Sequence, residues 1–153
     1  MKRSDFLKAG GAIMVCTCGS SVLYGCKAIT GNSDTPLLPD NSYTIKQNNI
    51  ILDTNKIPEL AQIGGSVKLQ LSDRDLKIIV AKTGENIFVA LPDRCTHGDR
   101  ELEYYHDKSI FRCVSFGHSR FDQNGNVVKG PAKVDLEVYK TSLNNDELSI
   151  EFV

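Results

Sequence analysis

Four side chains of metal-ligating type fall in two short segments, Cys95-Thr96-His97-Gly98 and Cys113-Val114-Ser115-Phe116-Gly117-His118. Each segment pairs one thiol with one imidazole. For the four to act on one centre, the chain must bring two separate loops face to face. Tyr105-His106-Asp107-Lys108, between the segments, reads as a hairpin tip, and His106, the only other histidine, as a solvated turn residue.

Two cysteines and two histidines suit tetrahedral Zn²⁺. They also suit a [2Fe–2S] cluster in which two thiolates bind one iron and two imidazoles the other. Zinc-finger spacings bring the two cysteines close together and the two histidines close together. Here each segment mixes one of each, which favours the cluster, and zinc remains the alternative.

The chain resembles a Rieske iron–sulfur protein over roughly residues 43 to 153. That family's first box, Cys-x-His-Gly, matches Cys95 to Gly98 in full. Its second box reads Cys-x-x-His-Gly-Ser-x-Phe/Tyr, then a turn and Gly-Pro. Cys113, Ser119-Arg120-Phe121-Asp122, Asn124-Gly125 and Gly130-Pro131-Ala132 follow that order. Phe116 stands where the family has its second histidine, and His118 comes two residues later. Since Ser119-Arg120-Phe121 directly follows His118, one extra loop residue restores the register and His118 is expected as the fourth ligand. The other reading is a site that has lost a ligand.

The resemblance implies an all-β, Rieske-like sandwich or barrel over 43–153, with a small cluster-binding subdomain near 92–125. It implies one [2Fe–2S] cluster held by Cys95, His97, Cys113 and His118, with the cysteine-bound iron inward and the histidine-bound iron outward. Ser119 would donate a hydrogen bond to the cluster. Phe121 occupies the position where high-potential relatives carry a tyrosine hydroxyl. The Gly130-Pro131 loop would cover the cluster from a third side, although an ordinary turn explains that dipeptide as well. Some relatives bridge the boxes with extra cysteines, but Asp99, Arg100 and Ser115 leave no thiols for such a disulfide here.

The N-terminus reads as a targeting segment. Lys2, Arg3 and Lys8 form a charged start, and an apolar stretch runs from Ala9 to Leu23. That stretch is too short, and too rich in glycine and serine, for a membrane-spanning helix. It ends in Leu23-Tyr24-Gly25-Cys26, which resembles a bacterial lipoprotein box. Residues 1–25 are therefore expected as a signal peptide and Cys26 as the lipidated first residue, with an uncleaved anchor as the alternative. Arg3 to Lys8 also resembles a twin-arginine export signal, with Ser4 in place of the second arginine. Residues 26–42, rich in Gly, Asn, Ser, Asp and Pro from Thr30 onward, read as a flexible tether.

Cysteine usage agrees with both readings. Cys16 and Cys18 fall in the leader and Cys26 takes the lipid, so of five cysteines only Cys95 and Cys113 remain. Beyond the leader, fifteen Lys plus Arg stand against eighteen Asp plus Glu, with no basic stripe for nucleic acid. Both methionines, Met1 and Met14, lie in the leader, and there is no Cys-x-x-Cys-His haem site. No phosphate-binding glycine loop or nucleophile elbow appears.

The rest is strand-like. Ser66–Leu71 alternates, Lys77–Lys82 and Ile87–Leu91 are short apolar runs, and 109–113, 127–129, 136–143 and 147–153 continue the style. Asn124-Gly125 is a hairpin signal, and 57–63 predicts a short helical turn. The expected function is electron transfer, in an envelope-anchored subunit or carrier facing the periplasm or exterior, rather than stand-alone catalysis. Its partner would be a quinol- or cytochrome-linked oxidoreductase. The alternatives are the ferredoxin component of an oxygenase and a zinc-stabilised binding lipoprotein.

Overall fold

The computed structural model describes residues 33–152. The expected signal peptide and Cys26 lie outside the described residues, as does the first part of the expected tether. Among the described residues no helix is long and apolar enough to cross a membrane.

Eleven strands among the described residues form three antiparallel sheets, so the fold is all-β as expected. The first sheet joins β1 (Tyr43–Lys46), β2 (Asn49–Asp53), β11 (Glu147–Glu151) and β10 (Lys140–Asn144), in the order β1-β2-β11-β10. Ile50 pairs with Ile150 and Leu52 with Leu148, and all four are fully buried. The second sheet is β3 (Ser66–Leu71), β4 (Leu76–Gly84) and β5 (Ile87–Pro92). An isolated bridge from Ala90 to Tyr139 ties it to the segment leading into β10. The third contains β6 (Leu102–Tyr105), β7 (Ile110–Cys113), β8 (Arg120–Asp122) and β9 (Val127–Lys129).

β4 explains how the third sheet sits on the other two. Its run Ile78-Ile79-Val80-Ala81 is buried throughout, as a strand covered on both faces must be. Ile78 and Val80 enter the core between the first two sheets. Ile79 and Ala81 point the other way, into a second core with Leu91, Leu102, Phe111, Phe121 and the two cysteines. The central sheet is thus a wall between a structural core and the core under the paired loops.

Two expectations change. Residues 33–42 do not run free as a tether. The Lys68 amide donates to the Pro36 carbonyl, the Leu38 amide to the Lys68 carbonyl, and Leu38 is buried against the first core. The strand expected over 136–143 begins only at Lys140. Leu136 instead docks in the second core, its amide bonded to the Gly125 carbonyl. The helical turn expected near 57–63 is a single 3-10 turn, Pro58–Leu60.

Candidate metal centre

β6 and β7 form a hairpin whose register sets Leu102 opposite Cys113 and Tyr105 opposite Ile110. Its turn is the 3-10 segment His106–Lys108. Cys113 therefore sits at the open end, and the expected hairpin tip lies at the other end, roughly 10 Å away along a four-residue strand.

The first box leaves β5 and closes on itself. The Cys95 amide donates to the Arg100 carbonyl at 2.7 Å, and the Gly98 and Asp99 amides both donate back to the Cys95 carbonyl. This buries Cys95 and leaves His97 exposed on the turn. In the second box the Cys113 amide donates to the Ser119 carbonyl at 2.8 Å and the His118 amide to the Ser115 carbonyl. That turn puts Phe116 at its outermost point, 100% exposed.

Cys95 and Cys113 are free thiols, both fully buried and adjacent to one another. Burial pushes the Cys113 thiol above its ordinary value. The Ser115 side chain and amide pull it back, while the neighbouring Cys95 adds to the rise. Metal binding requires thiolates, so a cation entering here must displace protons. Ser115 supplies polar company, its hydroxyl accepting from the Cys113 thiol at 3.0 Å.

The third loop lies over both boxes. Thr96 donates to the Val134 carbonyl at 2.7 Å, and the Ala132 amide donates to the buried Ser119 hydroxyl at 3.1 Å. Pro131 packs so close to Gly117 that a Cβ there would meet its ring at 2.7 Å. Ser119 accepts from Ala132 and keeps its own proton to donate. Phe121 is fully buried in the core with both cysteines.

The two histidines are placed differently from the thiols. His118 adopts φ +46° and its ring faces Arg112, whose Nη2 lies 3.1 Å from Nδ1 and 3.2 Å from Nε2. Arg112 in turn lies over the Tyr105 ring. Among the described residues, no three His, Cys, Asp or Glu side chains converge into a metal-holding group. The structure thus brings the two cysteines together, with the histidines on the same two loops but not gathered with them. His106 lies at the far end, its Nδ1 3.3 Å from the Tyr104 hydroxyl.

The donor set fits a [2Fe–2S] group in its chemistry. Two adjacent buried thiols, free of disulfide, would hold one iron; the two imidazoles that could serve the other lie on the flanking turns, His97 exposed and His118 turned to Arg112. Sequence reasoning missed Arg112, and also a buried ion pair of Lys68 with Asp93 beneath the first box. Lys68 sits between Val67 and Leu69 in an alternating strand, so it reads as a solvent-facing residue. Only the tertiary packing covers it.

The chain matches the family model of the Rieske [2Fe-2S] domain over residues 53–140. None of the curated protein sequences is similar to it. Among solved structures it is similar to the ferredoxin of carbazole 1,9a-dioxygenase from Nocardioides aromaticivorans IC177. That alignment has TM-score 0.54 and 17% identity, over 66% of this chain and 93% of the ferredoxin. A complex of reduced oxygenase and oxidized ferredoxin in carbazole 1,9a-dioxygenase aligns at TM-score 0.51 and 22% identity, over 58% and 90% of the two chains. A plasma membrane Rieske protein from the cyanobacterium Synechocystis PCC 6803 aligns at TM-score 0.49 and 23% identity, over 57% and 86%. At these identities the likeness speaks for the fold alone.

Proposed function

The chain belongs to the Rieske [2Fe-2S] domain family, and on that premise we propose that it is an envelope-anchored electron carrier whose cluster ligands are Cys95, Cys113, His97 and His118. The family binds one [2Fe–2S] cluster and passes electrons to and from redox partners. The observation that carries the assignment of the cysteine side is the pair of adjacent, fully buried, free thiols at the ends of two facing loops. The cluster, when bound, supplies one-electron chemistry. Cys95 and Cys113 would hold the inner iron. His97 and His118 would hold the outer one, with His118 turning its ring away from Arg112. Ser119, whose oxygen accepts the Ala132 amide, would have its own proton free to donate to the cluster, and the 130–134 loop would cover the thiols. A quinol- or cytochrome-linked oxidoreductase would be the partner.

The optical and EPR spectra of the purified full-length chain test this reading. A red-brown chromophore and a rhombic signal on reduction are expected; zinc with neither would sink it. Protein-film voltammetry should place the potential in the lower or middle part of the Rieske span of roughly −150 to +300 mV. Phe121 lacks a hydroxyl, so one hydrogen bond that would favour the more negative reduced state is missing. Phe121→Tyr should raise the potential. A bond worth about 1.4 kcal/mol to the reduced state corresponds to about 60 mV for one electron. A wild-type value near the top of the span, unmoved by the substitution, would place the control elsewhere.

The anchoring rests on Leu23-x-Gly25-Cys26 after an apolar stretch. The Ser33 hydroxyl donates to the Leu102 carbonyl on β6. Seven residues from Cys26 to Ser33 reach at most about 25 Å, so a lipid at Cys26 would hold the third sheet close to the bilayer. Mass spectrometry of the native protein should find a diacyl or triacyl Cys26. A mature chain beginning elsewhere and free of lipid would favour the second reading, a ferredoxin component of an oxygenase, as the structurally similar ferredoxins are.

A further inference from the structure

We propose that Lys68 is a positioning residue for the two thiols, closing the neck of the Cys95 loop and fastening it to the Cys113 loop. The inference rests on the cysteine assignment above. Lys68 projects from β3 on the face away from the first core, and its ammonium lies 2.9 Å from Asp93 Oδ2 and 2.8 Å from Glu101 Oε2. The Lys68 and Asp93 side chains are only 6% and 3% exposed, whereas that of Glu101 is 43% exposed. Asp93 enters the first box and Glu101 leaves it, so one ammonium spans the base of the loop.

Both carboxylate residues are tied onward. Asp93 Oδ1 accepts the Leu102 amide at 2.6 Å. The Glu101 carbonyl accepts the amide of Val114, the residue after Cys113, at 3.0 Å. The Glu101 carboxylate also takes the Ser33 amide. Lys68 is itself covered, because its backbone amide and carbonyl pair with Pro36 and Leu38. The central sheet, both cysteine loops and the 33–38 segment therefore meet at one buried cation.

Without that cation, two carboxylates would face each other at the neck, one of them almost fully buried. An uncompensated buried charge is strongly unfavourable. Whether the charge is relieved by a proton or by the half-exposed Glu101 turning to solvent, the tie across the neck is lost and Cys95 is free to move relative to Cys113. The closure acts on the geometry of the thiols rather than through contact with iron. Loss of groups that orient metal ligands commonly weakens retention by about 10- to 100-fold.

Full-length holoprotein carrying Lys68→Met, Lys68→Arg or Glu101→Gln tests the proposal. The readouts are the rate of iron loss to excess bipyridine, the width of the EPR lines, and the thermal midpoint of the metal-free chain. Lys68→Met should lose iron about tenfold faster, with broadened lines, and Lys68→Arg should restore most of the retention. If Lys68→Met yields no folded protein, Glu101→Gln decides, since it removes one half-exposed partner and should give a smaller acceleration in the same direction. Folded Lys68→Met protein that loses iron at the wild-type rate overturns the proposal, even if its metal-free form melts lower. A wild-type rate in Glu101→Gln, where that variant decides, overturns it too. Cys95→Ala separates this failure from failure of the ligand assignment: an intact cluster in that variant refutes the assignment whatever Lys68 does.

Discussion

His118→Ala should abolish the red-brown chromophore and the rhombic EPR signal of the reduced protein, while His106→Ala should leave both intact. The two imidazoles stand at opposite ends of one hairpin. His118 follows the Cys113 strand by five residues, and its ring Nδ1 lies 3.3 Å from the Cys113 carbonyl. A rotation of the ring away from Arg112 and the Cys113 carbonyl would free a nitrogen for a metal. His106 sits in the turn of the β6–β7 hairpin, roughly 10 Å along the strands from Cys113. It is held there from two sides. Its Nδ1 meets the Tyr104 hydroxyl, and a Cβ at Gly64 would lie 3.0 Å from the His106 Cβ. Reaching the thiols would require breaking the hairpin. Iron content, visible absorption and EPR of the two variants decide the matter in one preparation each. The reverse outcome would mean that the second box is read in the wrong register, and loss in neither would mean that a third residue completes the site.

The pairing of the two cysteines is legible because the boxes stand out locally. In the first box a thiol and an imidazole two residues apart read as a candidate ligand pair without tertiary information, and the Asn124-Gly125 turn reads in the same way. Gly125 takes φ +81° there, and the Asp122 carboxylate accepts the Asn124 and Asn126 amides. The apolar runs Lys77–Lys82 and Ile87–Leu91 also became strands as read. What stayed hidden depends on which side of a strand is covered. β6 carries Glu103 and two tyrosines and shows no apolar run, yet Leu102 and Tyr104 are buried because the β4–β5 wall lies beneath them. Leu37 and Leu38 look like linker residues, and become part of the body through a parallel bridge to Lys68. The ring orientation of His118 is likewise unreadable, because Arg112 lies six residues before it on β7 and only the turn of the second box folds the two side by side.

Gly130→Ala should be strongly damaging to the loop that lies over the two boxes. Gly130 adopts φ +109°, and a Cβ there would lie 2.6 Å from the Ser119 Cα and 3.0 Å from its amide nitrogen. Both obstacles are backbone, so neither a rotamer change nor a small shift of a side chain relieves them. Holding a non-glycine residue in such a conformation costs about 1–3 kcal/mol. The loop then has to rise from the second box. It takes with it the Ala132 amide that bonds the Ser119 hydroxyl, and a buried hydroxyl left without its partner costs about 1–3 kcal/mol more. A total near 3 kcal/mol in a domain of this size lowers the thermal midpoint by roughly 10 °C. The same movement opens the covered side of the thiols to water, so iron loss to a chelator should accelerate in step. Gly98→Ala supplies the contrast. That glycine belongs to the first box, but a Cβ there meets nothing within 4 Å, so its midpoint should stay at the wild-type value. Calorimetry of the two variants beside the parent separates the readings. A Gly130→Ala chain that melts with the parent would show that the 130–134 loop shifts freely and does not serve as the lid of the site.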